Sequence, residues 1–434
     1  MTASLTRDFP AEARAILAAN DRGGYTVPTA RLYPFQWNWD SAFVAMGFAT
    51  YDPARAFTEL ERLIEGQWPD GMIPHIVFHA ASDDYFPGPD VWGTAAKCRP
   101  DGPATSGITQ PAVFATALRR VFEAATASDR AAAVARAKPL FAAALRSHRW
   151  WHAARDPDGS GLVSVQHNWE TGSDNSPAFD DALARVPTTT TTVIRRKDTG
   201  HVAAAMRPRD VDYQRYIHIV DVYRDAGWDA KKQWQVAPFK IADVQMTAIL
   251  LRASEDLGAL ARHLGTPDEQ REIAGHMTRL AVGLRRQWSP SHCRFLSHDR
   301  ISGRDIASPT QAGFMPLAAL GLEDEQKRLM AREIERWLDD QAIDCLPSAP
   351  NFSPDFEAQR YWRGPVWAII NWYVVAGLRR NGIDALAARI ERGMVRAIEE
   401  AGFAEYFDPM TGEGCGGQSF SWTAAAYLLM MRPS

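Results

Sequence analysis

Apolar residues recur at helical spacing along most of this chain. In the segment DPARAFTELERLIEGQ, residues 52–67, they repeat every three or four positions, with Asp52 placed as an N-cap and Pro53 at the first helical position. A short helix near Pro10 precedes this segment, and an apolar helix begins at Asp40. The same pattern predicts ten further helices, at residues 111–127, 130–153, 210–227, 239–264, 267–288, 309–320, 324–340, 361–381, 384–402 and 419–431.

The order of these elements indicates one all-α domain that spans residues 1–434. Counting from residue 39, there are twelve helices in six consecutive pairs, with no βαβ alternation and no linker rich in Pro and Ser. Six helical hairpins closed into a ring form an (α/α)6 toroid. Such a ring has one funnel-shaped end where alternate loops meet, so we expect long loops to cover a site at that end.

Two long segments without helical periodicity interrupt this pattern. Residues 67–110 are rich in Gly, Pro and aromatic residues, and a loop of this length in a compact domain is usually functional or disordered. Residues 186–208 are rich in Thr and basic residues and have no apolar face. Since binding loops run over the protein surface, we expect residues 186–208 to form a mobile excursion over the site.

The stretch VSVQHNWETGSDNSPAFDD, residues 163–181, concentrates acidic residues in an irregular segment. Asp174, Asp180, Asp181 and an exposed-looking Glu170 lie among aromatic residues, Gly and Asn. Aromatic surroundings can raise the pKa of one carboxyl while another stays ionised, which is typical of a catalytic loop. The alternative is an acidic turn with an Asx cap, since Asp-Asn-Ser-Pro is also good turn chemistry.

A second acidic loop lies near the end of the chain. Residues 403–422 place Glu405, Asp408 and Glu413 in a Gly-rich aromatic loop before the last predicted helix. With Asp174, such a loop supplies the two carboxylates of glycosidic hydrolysis, one to protonate the leaving oxygen and one to activate water. The alternative for Glu405 is a loop acid that pairs with an arginine.

The segment YWRGPVW, residues 361–367, is a third departure from a simple helical pattern. Gly-Pro directly after Arg363 predicts a helix start with aromatic residues on both sides. The free N–H groups at a helix N-terminus can bind a sugar. The alternative is a set of core aromatic residues around a capped helix.

The composition is that of a soluble globular enzyme and favours a carbohydrate site. Of 434 residues, 46% are hydrophobic and 23% are charged, which allows a large core. The net charge of −4 argues against a nucleic-acid partner, and the basic run at residues 195–197 is expected to be a solvated loop tip. Fifteen tryptophans favour a sugar site, because aromatic faces pack against the C–H side of sugars.

Targeting and metal-binding signals are missing from the sequence. The N-terminus has no apolar segment typical of a signal peptide, and no run approaches the length that spans a membrane. The four cysteines are far apart, which favours reduced thiols in the cytoplasm. Histidines such as His75, His79 and His167 are scattered without a metal-ligand spacing, so we expect no metal and no cofactor.

Four motifs together resemble a known family. FQWNWDSAF, ETGSDNSPAFD, YWRGPVW, and EYFDP followed by GQSFSWTAA are similar to segments of the (α/α)6 hydrolases of glycoside hydrolase family 63, most closely its mannosylglycerate and glucosylglycerate hydrolases. The motifs span residues 33–422 in the order of the family. Each is short, but the combination is specific.

The resemblance implies an inverting α-glycosidase in which Asp174 is the general acid and Glu405 the general base. In an inverting enzyme the two carboxyl groups stand roughly 6.5 to 9.5 Å apart, which leaves room for a water molecule. We expect a raised pKa for Asp174 and an ordinary pKa for Glu405.

The resemblance also implies sixteen substrate-binding residues. Those expected around the sugar are Tyr33, Gln36, Trp37, Trp39, Asp40, Trp169, Glu170, Asn175, Tyr361, Trp362, Gly364 and Trp367. Those expected around a glycerate aglycone are Tyr85, Gln110, Arg207 and Tyr213. A guanidinium such as that of Arg207 can pair with both oxygens of a carboxylate.

The expected substrate is a small glycoside, mannosylglycerate or glucosylglycerate, which differ only at C2 of the sugar. One alternative is an α-glucosidase that acts on a neutral disaccharide. Two others from different classes are a sugar epimerase, which would need histidines as acid and base, and a noncatalytic sugar-binding toroid. We expect no nucleic-acid or membrane partner, and the sequence leaves a homo-oligomer open.

Overall fold

The computed structural model of the protein describes residues 7–431, and its main elements are helices. The expected leaderless N-terminus falls partly on residues 1–6, outside this range. The α-helices of the described chain are α1 (Phe9–Ala19), α2 (Asn38–Phe48), α3 (Pro53–Glu65), α4 (Pro89–Trp92), α5 (Phe114–Thr126), α6 (Arg130–Arg155), α7 (Asp180–Ala184), α8 (Asp210–Asp225), α9 (Ala230–Val236), α10 (Val244–Leu264), α11 (Pro267–Arg285), α12 (Asp324–Leu338), α13 (Ala368–Arg380), α14 (Asp384–Ala401) and α15 (Ser421–Met430). Five short 3₁₀ helices add to them, of which Gln311–Ala318 is the longest.

Most predicted helices are present, with three main differences. Helix α10 begins at Val244 rather than residue 239, because the Asp243 side chain caps it by accepting from the N–H of Met246 at 2.8 Å. Residues 309–320 form the 3₁₀ helix Gln311–Ala318, which contains Pro316. Residues 361–367 are not helical, and α13 begins only after them.

Six helical segments contact one another in a closed cycle. Its members, in order of contact, are α2, α5, α10, the 3₁₀ helix Gln311–Ala318, α13 and α15, and α15 packs against α2. Every residue of α2 is buried, as expected for a helix surrounded by others. The predicted pairing differs in two places: α8 is not a member of the cycle, and α1, which the count from residue 39 omitted, packs on α15.

Amphipathic helices lie on the outside of this cycle. Helix α3 packs on α2 and α5, α6 on α5 and α10, and α11 on α10. Helix α3 buries Ala56, Phe57, Leu60 and Leu63 on one side, as its spacing predicts. Among residues 7–431, no helix combines the length and the apolar character that crossing a bilayer requires.

Within residues 7–431, eleven very short strands pair distant loops with one another. They form four antiparallel sheets: β1 (Gln36–Trp37), β2 (Ile76–Phe78) and β3 (Ala104–Thr105); β4 (Ser164–Val165), β5 (Ile241–Ala242), β8 (Ser297–Asp299) and β9 (Arg304–Ile306); β6 (Trp288–Ser289) and β7 (Arg294–Phe295); and β10 (Tyr406–Phe407) and β11 (Gly414–Cys415). The sequence did not predict them, since two or three residues are too few to show alternation. Their effect is to fix the predicted site loops, because β1 lies in FQWNWDSAF, β4 in residues 163–181 and β10 in residues 403–422. Each of these segments contributes to the cavity described below.

A buried carboxylate on α3 connects the loop after α1 with α2 and α3. Glu59 on α3 is fully buried and accepts hydrogen bonds from Thr26, Gln36, Ser41 and Arg55, at 2.6 to 3.1 Å. A buried carboxylate with this many donors is stable only as a set, since removal of one member leaves the others unpaired.

Substitution of Glu59 therefore provides a test of this packing. Glu59→Ala removes the acceptor that Thr26, Gln36, Ser41 and one Arg55 N–H group share, although Arg55 keeps its pair with Asp21 at 2.7 Å. Because several buried donors lose their partner, we expect a loss of about 3 to 5 kcal/mol in unfolding free energy. The matched control is Glu61→Ala on the same helix, whose pair with Arg136 is 38% exposed on the glutamate side, and it should cost less than about 1 kcal/mol. Urea denaturation followed by tryptophan fluorescence measures both. Equal losses for the two variants would contradict the role of Glu59.

Candidate active site

A cavity lies where the loops before α2, after β4 and before α15 meet the two excursions. Its lining combines acidic, aromatic and basic side chains: Pro28, Tyr33, Trp37, Trp39, Asp40, His75, Tyr85, Phe86, Gln110, Trp169, Gly172, Asp174, Asp198, Arg207, Tyr213, Tyr361, Glu405, Phe420 and Trp422. One site thus receives residues from FQWNWDSAF, from residues 163–181 and 403–422, and from the two excursions at 67–110 and 186–208.

The backbone around Asp174 is held from both sides. Its carbonyl oxygen accepts from Asn168 Nδ2 at 2.8 Å and from the Tyr216 hydroxyl at 3.3 Å. The preceding turn uses Gly172 at a φ of +69°, where a Cβ atom would lie 2.4 Å from the Trp39 ring. Glycine is therefore needed at this turn both for its backbone angle and for the close approach of the indole. The result is a carboxyl group that keeps some surface toward the cavity and is otherwise enclosed by protein.

Glu405 is fixed by the loop that returns from β11 to α15. Its Oε2 accepts from the Gly417 N–H at 2.9 Å, and its Oε1 accepts from the Tyr33 hydroxyl at 3.0 Å. The Tyr33 hydroxyl also lies 3.1 Å from that of Tyr361. Gly416, at a φ of +71°, approaches so closely that a Cβ atom would lie 2.4 Å from Glu405 Oε2. This carboxylate is fully buried and has a fixed direction.

The two carboxyl groups have different electrostatic environments. Burial raises the pKa of Asp174 to about 8, with Arg207 lowering it and Glu405 raising it further. Burial also raises the pKa of Glu405, although Arg207, the Gly417 N–H and the Tyr33 hydroxyl act in the opposite direction. The expected raised pKa of Asp174 is therefore present, whereas the expected ordinary pKa of Glu405 is wrong, because the sequence could not show that this side chain has no contact with solvent.

Arg207 is the cation whose charge acts on both of these acids. Its side chain is 4% exposed; its Nε donates to Asp198 Oδ2 at 3.1 Å, and its Nη1 lies 3.7 Å from Glu405 Oε1. The guanidinium stacks over the Tyr361 ring at 4.2 Å. Within residues 7–431, Nη1 has no hydrogen-bond partner. This donor at the cavity is the group with which an anionic ligand could pair.

Twelve of the eighteen predicted site residues line the cavity, and six do not. The twelve are Tyr33, Trp37, Trp39, Asp40, Tyr85, Gln110, Trp169, Asp174, Arg207, Tyr213, Tyr361 and Glu405. The six outside the lining are Gln36, Glu170, Asn175, Trp362, Gly364 and Trp367.

The first three of these six contact residues that also lie outside the lining. Gln36 donates to Glu59 at 3.0 Å and contacts His79 at 2.7 Å. Glu170 is fully buried in an ion pair with Arg155 at 2.6 Å, so its exposed appearance in the sequence was wrong. The reason is that Arg155 lies on α6 and only the fold brings it to Glu170. Asn175 accepts from the Trp362 N–H at 2.9 Å, which joins the acid loop to the 361–367 segment.

The remaining three form the wall behind the cavity. Trp362 and Trp367 stack face to face, with ring centroids 3.9 Å apart and planes 2° from parallel. The tryptophan pair in turn contacts Trp39 and Trp422, which line the cavity. At Gly364 a Cβ atom would lie 2.7 Å from the Glu357 carbonyl oxygen, so glycine permits close backbone packing. The alternative that the 361–367 segment consists of core residues thus describes Trp362, Gly364 and Trp367. Tyr361, in contrast, lines the cavity.

The other acids of the two acidic loops lie outside the cavity lining. Asp180 pairs with Arg363 at 2.8 Å, and Asp408 accepts from Gln359 at 2.9 Å. Asp181 and Glu413 are also absent from the lining. Of the acids in those two loops, only Asp174 and Glu405 face the site.

Several lining residues were not predicted, and His75 and Asp198 carry chemistry. His75 stacks on Trp169 at 6.4 Å, and burial lowers its pKa to about 3, so its imidazole is neutral. Asp198 lies in the Thr-rich excursion, and the fold places it between Arg196 and Arg207. The only sequence signal for either was its place inside an excursion.

The expectation about histidine spacing needs a correction. His148 and His152 lie four residues apart on α6, and His276 of α11 stacks on His152 with centroids 3.9 Å apart. In the part of the chain that the structure describes, no group of three or more His, Cys, Asp or Glu side chains has the arrangement of a metal site.

Comparison with known proteins identifies the family of this chain. Residues 33–423 match the model of the mannosylglycerate hydrolase MGH1-like glycoside hydrolase domain. The chain belongs to this family. It is therefore a glycoside hydrolase, and the alternatives of an epimerase and a noncatalytic toroid are set aside.

The similarity to characterised relatives extends over nearly the whole chain. The chain is 47% identical to the mannosylglycerate hydrolase of Thermus thermophilus over 96% of its own length and 99% of that protein. It is 34% identical to the glucosylglycerate hydrolase of Mycolicibacterium hassiacum over 96% of each chain. A crystal structure of the family 63 mannosylglycerate hydrolase from Thermus thermophilus, in complex with Tris and D-glycerate, matches with a TM-score of 0.93 at 46% identity and covers 98% of this chain and 100% of that one.

A more distant protein resembles this chain in fold alone. The neutral trehalase Nth1 from Saccharomyces cerevisiae matches with a TM-score of 0.60 at 18% identity, over 94% of this chain and 73% of the trehalase.

The raised pKa of Asp174 predicts a trade-off between stability and function. The folded protein binds this proton more tightly than the unfolded chain, so the contribution of Asp174 to stability is lost as pH rises from its ordinary pKa of 3.8 to about 8. Asp174→Asn removes the ionisation and should be more stable than the natural protein by a few kcal/mol at pH 8, with little difference near pH 4.

Urea denaturation across this pH range measures the difference. The matched control is Asp181→Asn, an exposed residue of the same stretch, which should change stability by less than about 0.5 kcal/mol. A difference for Asp174→Asn that does not grow with pH would contradict the raised pKa.

Proposed function

We propose that this glycoside hydrolase cleaves mannosylglycerate or glucosylglycerate to a hexose and glycerate with inversion of the anomeric configuration. The observation that carries the proposal is the presence of Asp174, Glu405 and Arg207 in the lining of one cavity. The relatives named above act on these two glycosides, and they are similar over nearly the full length of the chain. In this proposal the two acids cleave the glycosidic bond, and the Arg207 cation binds the carboxylate of the glycerate.

Asp174 acts as the general acid in this proposal. Its carboxyl group, with a pKa of about 8, is mainly protonated at neutral pH and can donate its proton to the glycosidic oxygen as the C1–O bond breaks. The rigid hold on its backbone by Asn168 and Tyr216 supports this role, because a general acid must be within hydrogen-bond reach of the leaving oxygen.

Glu405 acts as the general base. It accepts a proton from the water molecule that attacks the anomeric carbon from the opposite face of the sugar. Tyr33 and the Gly417 N–H donate to its two oxygens and leave lone pairs for the water. The Arg207 charge stabilises the ionised form of Glu405 and opposes the effect of burial.

The aglycone site is formed by Arg207 with Tyr85, Gln110 and Tyr213. Arg207 offers a free Nη1 donor beside the cavity, and the other three offer neutral groups that can bond to the glycerate hydroxyl and carboxylate. Burial supports the choice of an anionic aglycone, because a buried guanidinium pairs strongly with a carboxylate. A neutral disaccharide would leave this donor without an anionic partner.

The proposal also includes the type of fold, the role of the 186–208 excursion and the cellular location of the enzyme. The closed cycle of six helical segments with amphipathic helices outside it supports an (α/α)6 toroid formed by one domain. The 186–208 excursion contributes Asp198 and Arg207 to the cavity lining, which supports its role as a cover. All four cysteines are free thiols, which supports a reducing, cytoplasmic location. No metal or cofactor takes part in the proposed reaction.

Substitution of Arg207 tests the substrate class. Arg207→Met keeps much of the apolar stem and removes the charge, so it should cost about 1.5 to 3 kcal/mol of transition-state stabilisation on glycosylglycerates. The loss should be much smaller on neutral aryl α-glycosides, which have no carboxylate. Steady-state kinetics on mannosylglycerate, glucosylglycerate and an aryl glycoside measures both.

The outcomes separate the two substrate classes. An equal loss on charged and neutral substrates would mean that Arg207 does not bind the carboxylate. Faster turnover of a neutral α-linked disaccharide than of either glycosylglycerate by the natural enzyme would favour the disaccharide alternative.

A further inference from the structure

The 186–208 excursion carries a row of alternating charges that ends at the proposed base. Arg196 donates to both oxygens of Asp198, from Nε at 3.1 Å and from Nη2 at 2.8 Å. Asp198 accepts from Arg207 Nε at 3.1 Å, and Arg207 Nη1 lies 3.7 Å from Glu405. The order is therefore cation, anion, cation, anion.

The row is shielded from solvent along its length. The side chains of Arg196 and Asp198 are 10% and 9% exposed, and that of Arg207 is 4% exposed. Arg195 and Lys197, the neighbours of Arg196, are exposed. The basic run predicted to be a solvated loop tip is thus divided: its outer members face water, and Arg196 faces the protein. Shielded ion pairs with good geometry are strong enough to fix a side chain.

Asp198 also determines what the Arg207 guanidinium can contact. A guanidinium is a planar fork of five N–H donors, so a bond at Nε together with stacking on Tyr361 fixes the whole plane. In that orientation Nη1 remains free at the cavity. If Asp198 did not hold Nε, Arg207 could turn its fork to Glu405, which is already only 3.7 Å away, and form a two-bond pair with it. Such a pair would occupy the proposed base and the proposed carboxylate-binding group together.

Arg196 supplies the charge that makes this arrangement possible. Asp198 alone would neutralise Arg207, but Arg196 pairs with both oxygens of Asp198 and leaves the Arg207 charge available. Arg196 also pairs with Asp210 at 2.9 Å, but that carboxylate is 89% exposed, so water screens its charge. Arg196 also stacks over Tyr213 at 4.0 Å, and the Tyr213 hydroxyl donates to Asp198 at 3.4 Å. Although burial acts the other way, the Arg196 hydrogen bond and the Arg207 charge keep the pKa of Asp198 below its ordinary value, so it stays ionised.

We propose that Asp198, held by Arg196, is a positioning residue that sets the aglycone specificity: it keeps the Arg207 guanidinium directed toward the substrate carboxylate and away from Glu405. This inference rests on the proposed function and deepens it, since it explains how one cation can serve an anionic aglycone beside an anionic base. Asp198 itself remains chemically unchanged during the reaction.

Asp198→Asn tests the proposal with little change of shape. KM for mannosylglycerate or glucosylglycerate should rise about tenfold to a hundredfold, because the charge-assisted pairing of Arg207 with the substrate carboxylate is lost. KM for a neutral aryl α-glycoside should change by less than about threefold. Arg196→Gln should act in the same direction more weakly, and the matched control Arg195→Gln, in the exposed neighbour, should leave both substrates unaffected.

Two further readouts separate positioning from a general structural role. In an Arg207→Met background, Asp198→Asn should add no loss on glycosylglycerates, because the group that it positions is already gone. In the single variant the acidic limb of the pH–rate profile should move to lower pH, because a closer Arg207 lowers the pKa of Glu405. Circular dichroism of every variant, with Arg196→Gln as the milder substitution, guards against loss of the fold.

The outcomes distinguish this proposal from the proposed function. Turnover of glycosylglycerates by the natural enzyme together with an unchanged KM in Asp198→Asn, or equal losses on charged and neutral substrates, overturns the role of Asp198 alone. A natural enzyme that neither hydrolyses glycosylglycerates nor binds D-glycerate in calorimetry overturns both. A selective rise in KM that disappears in the Arg207→Met background supports the positioning role.

Discussion

The arrangement of this site depends on one electrostatic constraint, the burial of two carboxyl groups beside a single guanidinium. Burial raises the pKa of both Asp174 and Glu405, and the Arg207 charge acts on both in the opposite direction. The Asp174 carboxyl has a hydrogen bond from its own backbone N–H, whereas Glu405 accepts from the Tyr33 hydroxyl and the Gly417 N–H. The two acids therefore receive different support from their surroundings, as an acid and a base in one reaction require.

Much of the remaining structure can be understood as support for this constraint. The backbone contacts at Asp174 and the glycine next to Glu405 set the directions of the two acids. The stacked Trp362 and Trp367 and the aromatic lining exclude solvent, which strengthens every charge interaction inside the cavity. The outer helices α3, α6 and α11 contribute no residue to the cavity lining, but they bury the apolar faces that keep the loops in place.

The sequence predicted the helices well because amphipathic spacing is a local property, as in α3. It did not predict strands such as β1, β4 and β10, which exist only through their partners in distant loops. The same distinction applies to the site. Motifs identified Asp174 and Glu405 as candidates, but the burial of Glu405 and the pairing of Glu170 with Arg155 depend on residues that only the fold brings together. Asp198 was overlooked for the same reason, since its role exists only beside Arg207.

The central claim is that Asp174 and Glu405 act from opposite faces of the sugar in a single displacement. Proton NMR of the hexose released in the first seconds of hydrolysis tests it most directly, before mutarotation mixes the anomers. The account predicts that an α-glycosylglycerate gives the β-anomer first, because water activated by Glu405 attacks opposite the leaving glycerate. Release of the α-anomer first would require a covalent intermediate and would contradict the assignment of Glu405 as a base.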